Sequence, residues 1–387
     1  QLKRRNQVFN LNDRSHIHVK NIEFFGSRIA MNSNSSYNIF DGITSEYGGH
    51  NQGISGWIAP PPIDIQGNNN QLINSRVGKT AGALTIAGND HIIENNVFHD
   101  FGYVAASVSG IQAKGNPYNI KISQNTIFNS GEIAISATFK SSEITHNHIW
   151  NIGKQKTDIA AINAYNSGDV AGTEIAHNLI HDVWSYNDTA PHWGGYGIRF
   201  DGGGAPLGNS NYNIHNNIIF NTSSSSIGVW GIPETGENYD NSLINVENNT
   251  VDGTILLAEA NKSHAGTKLL NNISRELKTV GHQNHVSQGK PYIPDGVIVE
   301  DNLFLNELEN NFSGEDAGFP DGESLPKELF PLNDSGKVSL PFTSSSINIG
   351  NQTIGADQFL PGALILEEDL SNLVGVFNAN NPEQLMI

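Results

Sequence analysis

The chemistry-bearing residues of this chain gather around one stretch, Tyr196-Gly197-Ile198-Arg199-Phe200-Asp201, which runs into Gly202-Gly203-Gly204. Consecutive glycines let a backbone turn tightly or approach a ligand closely. Directly before it lies the longest insertion in the well-patterned middle of the chain, Trp184 to Gly195, carrying Asp188, His192 and Trp193. Two carboxylates about 5 to 9.5 Å apart can share acid and base roles in a hydrolysis. Asp201 is the first such carboxylate, and Asp158, Glu132 and Asp188 compete to be its partner. A second chemistry, proton abstraction beside a substrate carboxylate, needs a base and a neutralising cation. Tyr165 or His192 would be the base, and Lys114 or Arg199 the cation. The plain structural alternative stands beside each role. Loop carboxylates are usually solvated, Trp and His fill space under long loops, and Arg199 has Asp201 two residues away as an ion-pair partner.

What positions these residues is a repeat. The phrase apolar–x–x–Asn–x–apolar recurs as Ile93-Glu94-Asn95-Asn96-Val97-Phe98, Ile122-Ser123-Gln124-Asn125-Thr126-Ile127 and Ile144-Thr145-His146-Asn147-His148-Ile149. It continues at Asn178, Asn217 and Asn249, with weaker copies at Asn272, Asn302 and Asn21. Steps between aligned Asn, starting from Asn96, are 29, 22, 31, 39, 32, 23 and 30 residues. A minimal repeat of about 22 residues with β-branched triplets and Asn turns predicts a β-solenoid. A leucine-rich repeat would show a Leu framework instead. The Asn column 96, 125, 147, 178, 217 and 249 is expected as a ladder at a turn, where Asn tolerates left-handed backbone. A second turn column holds Asp100, Asn129, Asn151, Asp182 and Asn221. Phe98, Ile127, Ile149, Ile180 and Ile219 should point inward, with His99, Phe128, Trp150, His181 and Phe220 outward beside them.

A second strand set follows the loops: Gly110–Lys114, Ala134–Thr138, Ala161–Tyr165, Gly197–Asp201 and Ile227–Trp230. Period-two alternation puts Gln112, Ser136, Asn163 and Arg199 in one outward row. Lys114, Thr138, Tyr165, Asp201 and Trp230 form the next. The expectation is a polar and aromatic stripe on one sheet, flanked by loops.

Composition narrows the function classes. The chain has 387 residues, 37% of them hydrophobic and 16% charged; Gly and Asn, at 40 and 51 residues, fill the difference. Net charge is −18 with only 21 Lys and Arg, which leaves no basic stripe for nucleic acid. No apolar run approaches a membrane span. Cysteine is absent, which removes disulfides, thiolate metal sites and cysteine nucleophiles together. No His-Glu-x-x-His or EF-hand spacing occurs, and His146 and His177 read as a structural ladder. No metal is therefore assigned, and turn carboxylates and carbonyls leave room for calcium alone.

The Asn coils, the strands Gly-Ile-Arg-Phe-Asp and Ile-Ser-Ala, and the stretch Ile347-Asn348-Ile349-Gly350 with Ile354-Gly355-Ala356 resemble right-handed parallel β-helix proteins of the pectate lyase-like type. That group includes polysaccharide lyases and polysaccharide hydrolases. The resemblance runs by repeat pattern over roughly residues 10 to 305. It implies an all-β fold, a single-stranded right-handed parallel β-helix with an irregular C-terminal tail. It implies a substrate groove on one sheet and its bordering loops, which coincides with the stripe above. The expected activity is cleavage of a polysaccharide or oligosaccharide, with hydrolysis slightly favoured and β-elimination on a uronate as the alternative. A non-catalytic glycan-binding adhesin or structural solenoid is the further alternative. Substrate contacts would come from Lys114, Gln112, Asn163, Trp184, Trp193 and Trp230, since aromatic rings stack on sugar faces.

Residues 1–305 are expected as the β-helix domain, and 306–387, with Pro320, Pro326, Pro331, Pro341 and Pro361, as a non-repeat segment on the helix end. The first repeat-like strand is read at His16-Ile17-His18-Val19. The residues before Ser15 would then be a minimal cap, or the remnant of a longer one. The N-terminal residues carry no secretory signal. An extracellular, periplasmic or cell-surface location is expected for the polysaccharide reading, with a leader removed. Oligomeric state leaves no trace in the sequence.

Overall fold

The computed structural model describes residues 7–49, 61–103, 109–165, 167–185, 194–201, 208–230, 241–258, 264–280, 293, 296–304, 346–349 and 352–355. Short strands rich in Ile and Val alternate with turns, and the described residues contain no helix. Three parallel sheets of 11 strands each result, and every strand between the first and last coils pairs with its counterpart one coil earlier and one coil later. The chain visits the sheets in a fixed rotation. Sheet A runs from Phe9–Asn10 to Glu276–Val280, sheet B from His18–Lys20 to Ile298–Glu300, and sheet C from Glu23–Phe25 to Leu303–Phe304. This is a right-handed parallel β-helix, as the repeats predict.

The interior is a stack of identical layers. In sheet A, Ile63, Leu84, Ile111, Ile135, Ile162 and Ile198 lie in register, and none exceeds 1% exposure. In sheet C, Phe98, Ile127, Ile149, Ile180 and Ile219 do the same. One coil cannot bury its own inner face. Stacking at about 4.8 Å per coil buries all of them at once.

The Asn ladder is real, and its geometry corrects the sequence reading. The ladder residues Asn96, Asn125, Asn147, Asn178, Asn217 and Asn249 are fully buried. The left-handed backbone belongs to the residue before each of them: Asn95, Gln124, His146, His177, Asn216 and Asn248, with φ between 54° and 57°. That preceding residue turns the chain so that the next side chain can point into the coil. There each amide bonds along the helix axis. Asn147 donates from N and from Nδ2 to Asn178 Oδ1, at 2.9 and 3.0 Å, and from Nδ2 to Ile122 O at 3.0 Å. Its own Oδ1 accepts two bonds from Asn125, each 3.0 Å. Asn272 and Asn302 extend the ladder, whereas Asn21 (φ 52°) occupies the left-handed position and not the ladder. Asp100, Asn129, Asn151, Asp182 and Asn221 do adopt left-handed backbone.

Asn147→Ala is expected to cost about 3–5 kcal/mol, because buried backbone groups of Asn125 and Ile122 lose their partners. Urea unfolding with a lowered midpoint measures this; an unchanged midpoint would show that water replaces the amide.

The outer column of sheet C stacks as a pile of rings: His99, Phe128, Trp150, His181 and Phe220, with centroids 4.6 to 6.0 Å apart. His148 joins it, with Nε2 2.9 Å from His181 Nε2. His181 Nδ1 lies 2.8 Å from Asp182 Oδ2 and serves as the donor there. That leaves His181 Nε2 to accept from His148, so His148 Nδ1 is bare, and it has no partner. Burial first, and then the electrostatic influence of the neighbouring His181 ring, hold the His148 ring well below the usual histidine range. Burial likewise lowers His91 and His99. The unfolded chain thus takes up protons near pH 6.5 that the folded chain refuses. Stability is expected to be level above that pH and to fall below it by about 1.4 kcal/mol per unit per histidine. Urea titrations at pH 7.5 and pH 5 test this, and His148→Leu should flatten the slope.

Two ends differ from expectation. Phe9–Asn10 is already a strand of sheet A, paired with Ile29–Ala30, so the helix begins before His16 and the residues just before Ser15 are part of a coil, not a cap. At the other end, Ser346–Ile349 and Gln352–Gly355 pair antiparallel as a separate two-stranded sheet. The stretch that resembled a closing coil is a hairpin, since residues so close in sequence can pair only by reversing direction.

Candidate functional site

All variation in loop length falls on two sides of sheet A. The turn from sheet B to sheet C is two residues in every coil, from Asn21-Ile22 to Asp301-Asn302. The C-to-A connections range from the single Arg275 to residues 47–62, and the A-to-B connections reach residues 281–297. The fixed turn is the one that holds the Asn ladder, which tolerates no insertion. Insertions therefore collect along the borders of sheet A. Loops on a rigid scaffold are where binding residues concentrate.

On that sheet the predicted rows fall in register in the later coils, whereas Lys114 and Thr138 lie beyond the ends of their strands, Ile111–Ala113 and Ile135–Ser136. Asn163 and Arg199 lie in register, as do Tyr165, Asp201 and Trp230. Gln112 and Lys114 are exposed two coils earlier. Arg199 is the centre of the group. Its side chain is only 6% exposed, yet it faces away from the core, with Cζ 5.5 Å from the Tyr196 ring centroid. Nε donates to Asn163 Oδ1 at 2.8 Å, Nη1 to Asp158 Oδ1 at 2.5 Å, and Nη2 lies 3.4 Å from Asp201 Oδ2. One guanidinium thus bridges two carboxylates from neighbouring coils. The size of that group keeps the two bonded oxygens within ~8 Å of each other. Asp158 is 60% exposed and Asp201 18%. Asn209 Nδ2 donates to Asp201 O at 2.9 Å and fixes the strand end.

The other sequence candidates divide. Tyr165 is half-exposed beside Asp201, and Trp184 is partly exposed on the C-to-A border. Asn163 is buried and holds Arg199, which makes it a positioning residue and not an exposed contact. Glu132 is buried and paired with Lys156, so it does not join Asp158. His192, Trp193 and Asp188 lie outside the described residues, as does the side chain of Trp230. Tyr196 and Lys156 were missed. Tyr196 sits in the quoted motif itself, where an aromatic three residues before the outward Arg199 was the available signal.

Among the described residues no group of three or more His, Asp or Glu side chains is arranged to hold a metal ion. His146 and His177 stack at 4.8 Å as a ladder pair, and His215 Nε2 lies 3.0 Å from Glu174 Oε1 on the outer face of sheet B. Arg199 between Asp158 and Asp201 occupies the position a cation would take between those carboxylates, so calcium does not fit there.

No family model matches the chain, and no curated protein does. Among solved structures it is similar to the pectate lyase Pel9A, at 13% identity and TM-score 0.51, over 89% of this chain and 87% of that one. It also resembles a PL6 alginate lyase in complex with a trisaccharide, at 15% identity and TM-score 0.43, over 90% and 87% of the two chains. A PL6 polysaccharide lyase from Pseudopedobacter saltans aligns at 12% identity and TM-score 0.38, over 81% and 92%. At such identities the likeness is one of fold.

Proposed function

We propose that the protein is a carbohydrate-active enzyme that cleaves glycosidic bonds of a polysaccharide laid across the outer face of sheet A. The observation that carries this reading is the pair Asp158 and Asp201, bridged by Arg199 on the one sheet that all variable loops border. A structural solenoid has no need to place two carboxylates and a nearly buried guanidinium on its outer face.

Hydrolysis is the first chemistry. Both carboxylates bond one guanidinium, which keeps their bonded oxygens within ~8 Å, a separation compatible with the about 5 to 9.5 Å that glycosidases use. Asp201, the better enclosed of the two, would face the sugar, and Asp158, the more open, would meet water or the departing sugar. Arg199 orients both. It is less suited to neutralising a uronate, since its nitrogens already serve two carboxylates and Asn163.

β-Elimination is the second reading. Tyr165 stands beside Asp201 with its ring half-exposed, where its phenolate form could take a proton from a sugar carbon as the glycosidic oxygen departs from the neighbouring carbon. The pectate lyase and the alginate lyase that share the fold add to this reading by analogy alone. A polymeric substrate also favours an exported protein.

The test is incubation with neutral and uronate polysaccharides, followed by reducing ends and by ultraviolet absorbance of unsaturated products together. Reducing ends alone mean hydrolysis, and both signals together mean elimination. Binding with neither signal would overturn the enzyme reading in favour of a glycan-binding protein.

A further inference from the structure

The outer face of sheet A is open on one side of the acidic pair and closed on the other. Toward the first coils, its outward row holds Asp64, Thr85 and Gln112 in register and then Ser136, all partly or fully exposed. Toward the last coils the same row passes from Arg199 to Gly228 and Leu256, and both of these are buried. Leu256 lies two coils beyond Tyr196, yet the two share one apolar cluster with Ala160, and none of the three is more than 4% exposed. Gly228, in the coil between, has no side chain to hold them apart. The Tyr196 ring is also the one that faces the Arg199 guanidinium. An apolar wall of Tyr196 and Leu256 therefore stands on the C-terminal side of Asp158 and Asp201. Lys278 continues the row past this wall and is exposed again.

The open stretch carries no surplus of positive charge. With the acidic pair, its described charges are Asp64, Asp158 and Asp201 against Arg28, Lys114 and Arg199. Arg28 is partly buried and donates from Nε to Pro61 O, and Arg199 is engaged by the two carboxylates. A polyuronate brings one carboxylate per sugar and would find Lys114 as the one exposed cation among the described residues of these rows. Like charges brought together without compensation oppose binding. Thr85, Gln112 and Ser136 instead offer hydroxyl and amide groups, which both donate to and accept from sugar hydroxyls.

We propose that this face takes the free end of a neutral glycan, seated against the wall of Tyr196 and Leu256, with the rest of the chain running over Ser136, Gln112 and Thr85 toward Asp64. The inference rests on the enzyme reading above and gives it a substrate class and a direction. Arg199 and Asp64 are five coils apart, ~24 Å, so several sugars fit on the open side of the acidic pair while the wall stops the chain on the other. As the glycosidic bond breaks, water gives its hydroxyl to one sugar and its proton to the oxygen of the other. The bond cut is the one near the wall, so each turnover releases a short product from the end of the polymer.

The test uses the full chain with galactomannan, xyloglucan and arabinan as neutral probes and polygalacturonate and alginate as anionic ones. Short oligosaccharides are expected from a neutral polymer from the first turnovers, with viscosity falling only in step with new reducing ends. An early collapse of viscosity means internal cleavage and would overturn the proposal. Tighter binding or faster cleavage of the anionic polymers, or no binding of any neutral one, would overturn it as well. Binding of a neutral polymer without cleavage would remove the enzyme reading and not this one, which two exposed positions of the same row then decide. Gln112→Ala, in the open stretch, is expected to weaken binding about tenfold, and Lys278→Ala, beyond the wall, to leave it within about twofold. Equal effects of the two substitutions would mean that the face runs through without a stop and would end the proposal.

Discussion

Asp201→Asn is expected to lower turnover of the polysaccharide by about 10³-fold, within the range for loss of one acid–base group, while glycan binding and thermal unfolding change little. The carboxylate stands at the end of the strand Tyr196–Asp201, and its backbone is held independently by Asn209. Asn has the same shape and keeps an oxygen for Arg199, so the site should stay assembled while the charge is lost. The effect therefore belongs in kcat, with KM nearly constant, as for an interaction made in the transition state. Asp158→Asn makes the comparison informative. If hydrolysis uses the pair, both variants fall by comparable factors. If only Tyr165→Phe abolishes turnover and both Asn variants remain active, the carboxylates hold Arg199 in place and the chemistry is elimination. Full activity in Asp201→Asn together with Asp158→Asn would remove the hydrolytic reading.

The fold was legible because a solenoid writes its geometry into sequence. Each ladder position sees the same neighbours, so Asn125, Asn147 and Asn178 recur where a buried amide must bond to the next coil. What the sequence could not separate was which of two adjacent residues turns and which one packs. His146 and Asn147 both suit a turn by type, and only the backbone shows that His146 takes the left-handed φ. The stripe of sheet A was legible from alternation, since Asn163 and Arg199 fall in register through a fixed strand length. The partner of Arg199 was not. Asp158 lies 41 residues away, in a C-to-A connection of variable length, and no repeat fixes where such a residue lands. Alternation also placed His99, Phe128 and Trp150 facing outward, correctly, but outward is not exposed. Their burial depends on what lies over the sheet, which strand periodicity does not encode.

Arg199→Leu is expected to destabilise the coil around it by about 2–4 kcal/mol and to reduce turnover sharply. The stability figure lies below that for a wholly buried pair, because Asp158 opens to water and can recover hydration. Asp201 and Asn163 are more enclosed and would lose a charge-assisted partner and a hydrogen-bond donor respectively. Two like-charged carboxylates would then face each other across an apolar side chain, and at least one should swing outward. Arg199→Lys separates the roles of charge and shape. An ammonium restores a positive charge, but it is one centre on a flexible stem and cannot hold two carboxylates and Asn163 in fixed directions. It should recover much of the unfolding midpoint and little of kcat. A merely structural arginine predicts the opposite, with activity tracking stability across both variants. Combining Arg199→Leu with Asp158→Asn sharpens the test, since Asp201 then faces a neutral amide and the pair no longer repels. If the bridge is the point of the site, the double variant regains stability relative to Arg199→Leu and regains no turnover. Recovery of both together would mean that Arg199 acts on the fold alone and that Asp158 has no part in turnover.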